Sequence, residues 1–465
     1  MQLTVGDLSQ AVGSTIRWAD MPPLEGPLAP IGRVVIDSRQ VQRGDVFWAL
    51  RGQRCHGADY AHEALVRGAL GVVADRAVTP LPGTFSIEVP DGQLALWEFA
   101  RWYRQLLTAP VVAVTGSVGK TTTRQMIYAV LSADRRGTAS AHNYNNQIGV
   151  PLSILSAHQD DEFVILEIGA SAAGEVDALA RLAEPDIGVI TCIADAHLGS
   201  FGGYEQVLAA KAELLGVLGS HGSAVLPGDE PRLQQIANDC QAGTIRFGCD
   251  ESDDVTAMHV HSSEGSLTFQ IGEQPFRIPV WGQHHLGSAL AAIAVGKLFD
   301  CSLSEIAAAL SGFKSVPMRC EVLQFGAITA INDTYNACPI SMKAALALLS
   351  EFGNSSRRIV ACGDMVELGE ASERLHYQLG QQVVTVGQAQ QLFVCGNHAD
   401  TVASGAQDAG MPKEQVTVSA DADQTAHRLK IALQPGDVVL AKGSRIMQME
   451  RVIESVAEHS IARVA

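Results

Sequence analysis

The chain has 465 residues, of which 47% are hydrophobic and 18% charged, and its formal net charge is −17. That length exceeds one ordinary core and predicts about three domains, while the acidity excludes a general nucleic-acid binder, which needs a basic field to displace counterions. The nine cysteines are scattered without metal-ligand spacing, no basic leader precedes them, and no apolar run reaches membrane-spanning length, so the pattern predicts a cytoplasmic protein with reduced thiols and no membrane insertion.

Residues 1–95 read as a small α/β unit. Arg33-Val34-Val35-Ile36-Asp37-Ser38-Arg39 reads as a short strand ending in polar residues, and Gly44–Leu50 as another. A helical pattern runs through Tyr60, Ala61, Ala64, Leu65 and Val66, followed by Gly71-Val72-Val73-Ala74.

Residues 96–315 form the central unit, which carries the strongest signal. The apolar run Val111–Val114 reads as a buried strand, then Thr115-Gly116-Ser117-Val118-Gly119-Lys120-Thr121-Thr122 reads as a turn opening a helix through Met126, Ile127, Val130 and Leu131. Strand, glycine loop, Lys-Thr and helix make a phosphate cradle: backbone N–H groups and a helix N-terminus face an anion, the lysine reaches the terminal phosphates, and a hydroxyl can meet Mg²⁺. Val114 stands where the common phosphate loop has its first glycine, so this is the shorter form. Phe163–Glu167 and Ile187–Thr191 read as further strands of a parallel, doubly wound sheet. Glu167, at a strand end, reads either as a metal carboxylate or as a solvated acid.

Further along, His197 lies in a glycine-containing loop, and Lys211 lies on a helix, where it is either a surface lysine or one open to carboxylation by CO₂. Asn143, Asn145 and Asn146 suit a loop, and equally suit hydrogen bonding to a peptide-like ligand. Gly282-Gln283-His284-His285 precedes an alanine-rich helix from Ser288 to Leu298.

Residues 316–465 read as a third unit, Rossmann-like, with strands at Arg358–Gly363, Leu392–Gly396 and Asp437–Gly443, each carrying a loop at its C-terminal end, where open α/β sheets bind ligands. Arg319 can meet a phosphate bidentately or cap a surface acid. Asn332–Pro339 ends a strand in hydrogen-bonding residues before a helix from Ser341 to Leu349.

Together these segments resemble the Mur ligase family, ATP-dependent enzymes that build the peptide stem of bacterial peptidoglycan. Asn332–Met342 resembles the family segment D-T-Y-N-A-N-P-x-S-M, Gly363–Gly369 resembles G-D-M-x-E-L-G, and Lys442-Gly443-Ser444-Arg445 with Met449-Glu450 resembles K-G-S-R…M-E. Within the family these segments are most similar to those of the branch that the resemblance implies joins D-Ala-D-Ala to UDP-N-acetylmuramoyl-tripeptide. The D-N-P-R motif of the preceding branch is absent.

The resemblance implies ATP and Mg²⁺ as cofactors, an acyl-phosphate intermediate, and a monomer. It implies that Thr115, Gly116, Ser117, Val118, Gly119, Lys120, Thr121, Thr122, His284, His285, Arg319 and Asp333 bind the nucleotide. Thr121, Glu167, His197 and Lys211 fall on metal positions, Lys211 being the lysine carboxylated at N6. Lys120, Lys211, His197 and Arg319 would serve catalysis. Ser38, Arg39, Asn143, Asn145, Asn146, Tyr335, Asn336, Lys442, Ser444 and Arg445 would contact the substrates. The chain departs from the family at His285 and Ser288, where G-x-H-N-x-x-N has asparagines, at Cys338, where an asparagine is usual, and at Gly57-Ala58-Asp59, where G-H-D/Y is usual. The resemblance leaves open a related amide ligase with another acceptor, and a nucleotide-binding scaffold without turnover.

Overall fold

The structure, a computed structural model, describes residues 3–20, 23–141, 143–195, 198–353 and 356–462. Its centre is a seven-stranded, all-parallel sheet in the order Val255–Thr256, Gly243–Gly248, Ser223–Pro227, Ile187–Ile190, Val111–Thr115, Phe163–Glu167, Gly137–Ala139. The strand Val111–Thr115 is buried along its whole length, which is why it reads as an unbroken apolar run. Its side chains alternate between two cores. Val111 and Ala113 join the helices Gly92–Arg104, Gly149–Ser156 and Glu175–Ala183, whereas Val112 and Val114 join Lys120–Leu131 and Leu286–Leu298.

The first unit is a five-stranded sheet in the order Ile16–Trp18, Phe85–Glu88, Gly71–Ala74, Val46–Ala49, Val34–Val35, with only Ile16–Trp18 antiparallel. The strand expected across residues 33–39 is shorter. Asp37 accepts from Arg39 N at 3.0 Å and caps the one-turn helix Ser38–Gln40, so the chain turns after Val35. The helix Gly92–Arg104 runs through the division set at 95/96. Its first turns pack on the first sheet through Leu96 and Phe99, and its last turns enter the central core through Ala100 and Tyr103.

A three-stranded antiparallel meander, Met258–Ser263, Ser266–Ile271 and Gln274–Ile278, covers the central core and was not anticipated. Beyond it Trp281 stacks on Phe352 of the third unit, ring centroids 4.7 Å apart.

The third sheet runs Glu321–Phe325, Ile328–Asp333, Val438–Lys442, Arg358–Cys362, Gln391–Cys395, Val416–Ser419, parallel except for the first hairpin. On it the helices Ser372–Thr385 and Ala399–Asp408 touch backbone to backbone. A Cβ on Gly380 would lie 2.0 Å from Val402 O, and one on Gly405 2.1 Å from Tyr377 O. Alanine adds about 1 kcal/mol of helix propensity over glycine, but overpacking costs about 1–3 kcal/mol and the obstacle here is rigid backbone. Gly405→Ala is therefore expected to lower the thermal unfolding midpoint; an unchanged or higher midpoint would contradict the close approach.

Candidate active site between the central and third sheets

The phosphate loop leaves Val111–Thr115 at the middle of the central sheet. Gly116 has φ 138° and passes so close to the neighbouring strand that a Cβ would lie 2.1 Å from Thr191 Oγ1. Gly119, at φ 83°, opens the helix Lys120–Leu131, a left-handed conformation that favours glycine. The loop is braced from Thr191 onward: Ser117 N donates to Cys192 O at 2.9 Å, Thr191 Oγ1 to Val118 O at 2.5 Å, and Ser117 Oγ to Ala194 O at 3.1 Å. Lys120 Nζ folds back onto Gly116 O (2.7 Å) and Ser117 O (3.2 Å). Burial pulls its pKa below the ordinary lysine value, and Glu167 opposes that shift.

Glu167 ends the adjoining strand and is buried. Asn145 Nδ2 donates to its Oε1 at 2.9 Å, and Arg124 Nε lies 3.4 Å from Oε2, an oxygen without a hydrogen-bond partner among the described residues. A buried carboxylate oxygen left in that state, beside the hydroxyl-bearing first turn of a phosphate-loop helix, is a donor set suited to Mg²⁺. Lys211, 2% exposed, donates to Ala170 O at 3.2 Å and lies over the Phe201 ring. Burial, aided by Lys120, lowers its pKa to about 7.

The third unit supplies the opposite wall. Arg319 Nη2 donates to Thr121 Oγ1 at 3.2 Å, and its guanidinium stacks 4.0 Å from the Tyr335 ring centroid. Asp333 accepts from Cys320 N at 3.1 Å and pairs with Lys442 Nζ at 2.5 Å. Lys442 also donates to Asn336 O at 2.8 Å. His284 and His285 tilt against each other with centroids 4.1 Å apart. Burial drives His284 down to about 4 and His285 well below its ordinary value, so both rings are neutral at physiological pH.

These walls enclose a cavity of about 600 Å³. Of the residues expected from sequence, Ser117, Val118, Gly119, Lys120, Thr121, Thr122, Asn145, Asn146, Glu167, His284, His285, Arg319, Asp333, Tyr335, Asn336 and Lys442 line it. Thr115 and Gly116 lie beneath it as the buried root of the loop. Lys211 reaches its edge through Ala170. Asn146 is also a cap, its Oδ1 accepting from Ile148 N and Gly149 N.

Other expected residues stand apart from that cavity. Ser38 and Arg39 belong to the first unit, on the one-turn helix Ser38–Gln40, with Arg39 paired to Asp37. Asn143 is not on the cavity lining. Ser444 is wholly buried and accepts from Val366 N at 2.9 Å, and Arg445 pairs with Glu450 at 2.9 Å. His197 lies outside the described residues.

Sequence reading missed Arg124, although it sits one turn after Lys120, at the i+4 spacing that shares a helix face. It also left Asn145 without its role as the group that orients Glu167. Ser288 lines the cavity and also accepts from Thr123 Oγ1 at 3.0 Å beneath the phosphate loop.

Because Lys442 and Asp333 are both buried, removing one partner strands the other. Lys442→Ala is expected to destabilise the chain by about 3–5 kcal/mol, read from denaturant unfolding; a loss under about 1 kcal/mol, the range of exposed pairs, would contradict a desolvated pair.

Known proteins with this architecture are found. The chain matches the Mur ligase middle domain over residues 114–296, the Mur ligase glutamate ligase domain over 318–445 and the Mur ligase catalytic domain over 30–95. It is 35% identical over 433 residues to the UDP-N-acetylmuramoyl-tripeptide--D-alanyl-D-alanine ligase of Bacillus subtilis, covering 92% of this chain and 94% of that one. Among solved structures it is similar to MurF from Acinetobacter baumannii, with TM-score 0.85 and 27% identity over 98% of this chain and 99% of that one. It is also similar to the MurF ligase of Thermotoga maritima in complex with ADP, with TM-score 0.79 and 29% identity over 93% and 98%. By these matches and by its own three-sheet frame around a phosphate loop, the chain belongs to the Mur ligase family.

Proposed function

We propose that this chain joins D-Ala-D-Ala to UDP-N-acetylmuramoyl-tripeptide, converting ATP to ADP and phosphate, in the cytoplasmic stage of peptidoglycan synthesis. The observation that carries the reading is the hydrogen bond from Arg319 of the third unit to Thr121 at the start of the phosphate-loop helix. It brings the third unit over the position where a γ-phosphate would lie. In this reading residues 1–95 hold the UDP-sugar end near Ser38 and Arg39, residues 96–315 hold ATP, and residues 316–465 close over both and present the dipeptide. In this reading the chain acts as a monomer.

The chemistry demands that two anions meet. The terminal carboxylate of the tripeptide attacks the γ-phosphate, the bond to ADP breaks, and an acyl phosphate forms. The amine of the dipeptide then attacks the acyl carbon and phosphate leaves. Little covalent help is required of the protein, so positioning and charge neutralisation dominate. A cation about 4 Å from a phosphate is worth about 4 kcal/mol at an effective dielectric of about 20, and Lys120 and Arg319 are the cations at hand. Lys120 leaves the carbonyls of Gly116 and Ser117 when a phosphate offers a better acceptor. Neutral His284 and His285, beside Asp333, suit the nucleoside end. Thr121, Glu167 and a carboxylated Lys211 would hold Mg²⁺, which supplies further charge neutralisation at the phosphates. Asn145 and Arg124 hold the Glu167 carboxylate in place.

Phosphate release should require ATP, UDP-N-acetylmuramoyl-tripeptide and D-Ala-D-Ala together, with the pentapeptide product formed; release without the dipeptide, or none at all, would reject the reading. Lys120→Ala is expected to lower turnover by at least about 100-fold, the scale of losing one preorganised charge contact.

Lys211 gives a second test. Carboxylation needs the neutral amine, which attacks CO₂ and releases a proton. With its pKa lowered to about 7, the neutral fraction grows as pH rises through 7 and collapses below it. Activity should therefore fall on removal of CO₂, recover with bicarbonate, and depend on bicarbonate more steeply below pH 7. Indifference to CO₂ at every pH would show that Lys211 acts as a plain amine.

A further inference from the structure

The loop Gly363–Gly369 leaves the strand Arg358–Cys362 and crosses to the central unit. Its backbone is tied at each step. The Asp364 carboxylate accepts from Asn397 N at 2.7 Å and His398 N at 3.1 Å. Met365 N donates to His376 Nε2 at 2.9 Å, and Val366 N to Ser444 Oγ at 2.9 Å. Glu367 O accepts from Gly199 N of the central unit at 2.8 Å. Glu367 holds φ at 66°, a left-handed backbone that a non-glycine residue keeps only where the surroundings impose it. The loop therefore holds this shape only while its ties hold.

One tie depends on a proton. His376 is wholly buried, on the helix Ser372–Thr385. Its Nδ1 lies 2.7 Å from Ser372 O, a carbonyl that can only accept, and its Nε2 takes the Met365 N–H, which can only donate. Both bonds exist together only in the neutral ring with its proton on Nδ1. The other ties use a carboxylate, a hydroxyl and a carbonyl as acceptors.

Two titratable groups face the ring. Asp364 Oδ1 stands 3.9 Å from Nε2, and the His398 ring, at the start of the helix Ala399–Asp408, stacks on it with centroids 4.2 Å apart. Ser372 Oγ lies between the two histidines, 3.3 Å from His376 Nδ1 and 3.0 Å from His398 Nε2. Among the described residues, neither the rest of its own helix nor the helix Pro339–Glu351 brings a charged group to it. Burial holds the ring's pKa below the ordinary histidine value, outweighing the bond to Ser372 O and the Asp364 charge, and His398 adds to the effect.

We propose that His376 is a positioning residue and a proton-sensitive latch, whose neutral ring fixes Met365 and with it the loop's reach to Gly199, and which releases the loop when Nε2 takes a proton from water. A proton on Nε2 sets a donor against the Met365 N–H. Met365 N loses its acceptor, and the charged Nε2–H turns to Asp364 Oδ1, whose carboxylate already holds Asn397 N and His398 N. The loop slackens at both points, the left-handed Glu367 backbone relaxes, and Glu367 O leaves Gly199 N. A bond between the third and central units is lost, and the cavity wall that carries Val366 moves with it. In the open loop the ring takes a proton more readily than in the closed one, so the closed form dominates above the ordinary histidine range and loses ground as the pH falls below it. None of this depends on which amide the chain forms.

The test is amide hydrogen exchange of the full chain, corrected for the intrinsic effect of pH. Between about pH 7.5 and about pH 5.5, protection of residues 363–369 and of Gly199 should fall at least about 3-fold, while the strand Val438–Lys442 keeps its own. His376→Gln places a carbonyl that accepts from Met365 N and cannot titrate, so its loop should be protected alike at both values. His398→Gln leaves His376 in place and should keep the response. Equal protection in wild type at both values overturns the latch, as a merely structural histidine would give that result. A response that survives in His376→Gln, or that vanishes in His398→Gln, overturns the assignment to His376. Should His376→Gln fail to fold, wild type and His398→Gln still decide.

Discussion

Arg319 reaches from the third unit to Thr121 Oγ1 at 3.2 Å, and that reach fixes what the two sheets can do together. A guanidinium is always charged and donates from a planar fork, so bringing it to the first turn of the phosphate-loop helix concentrates positive charge where a phosphate chain would end. The cost is carried by the third unit. Tyr335 stacks on the guanidinium, Asp333 anchors the backbone at Cys320, and Lys442 neutralises Asp333. The two units are thus held together by the Arg319 donor, backed by a chain of buried polar contacts, by the bond from Gly199 N to Glu367 O at 2.8 Å, and by the Trp281–Phe352 stack.

The local electrostatics run against the global charge. A chain of net charge −17 repels anions at long range, yet the cavity gathers Lys120 and Arg319 on its lining, with Arg124 beside the lining residue Glu167 and Lys211 at its edge. Burial lowers the pKa of Lys120 and of Arg124, and Glu167 counteracts both shifts. An anionic ligand would reverse that desolvation penalty. The same low-dielectric setting explains Lys211: an amine held near pKa 7 is poised between ammonium and nucleophile, a state that no exposed lysine occupies.

Much of the central unit was legible because its signals are local. The apolar run Val111–Val114 followed by glycine and Lys-Thr has one structural solution, and the strand-loop-helix it predicts is present. The α/β class followed in the same way from strands spaced by helices. The meander at 258–278 was not legible: its alternation is short and it depends on packing against a core formed elsewhere in the chain. Helix Gly92–Arg104 was obscured for a different reason. Its two ends serve two cores, so its apolar pattern fits no single boundary. Residues that act through another residue left little trace. Arg124 and Asn145 have meaning only beside Glu167, which is distant from both in sequence.

The departures from the family pattern can now be weighed by where they fall. Ser288 lies under the phosphate loop, its hydroxyl on Thr123 and its Oγ 3.4 Å from where a Cβ of Gly119 would stand. A serine at that place satisfies a buried hydroxyl and keeps the helices Lys120–Leu131 and Leu286–Leu298 close. His285 lines the cavity as a neutral ring against His284, so it can still donate from one ring nitrogen and accept at the other, with one donor fewer than an asparagine amide. Cys338 begins the helix Pro339–Glu351, where Ser341 supplies the capping hydroxyl. None of the three carries charge or touches Lys120, Glu167 or Arg319 in the hydrogen bonds described. Their effect falls on the cavity wall near His284 and on the helix start, while Lys120, Thr121, Glu167 and Arg319 stand together as in the family pattern.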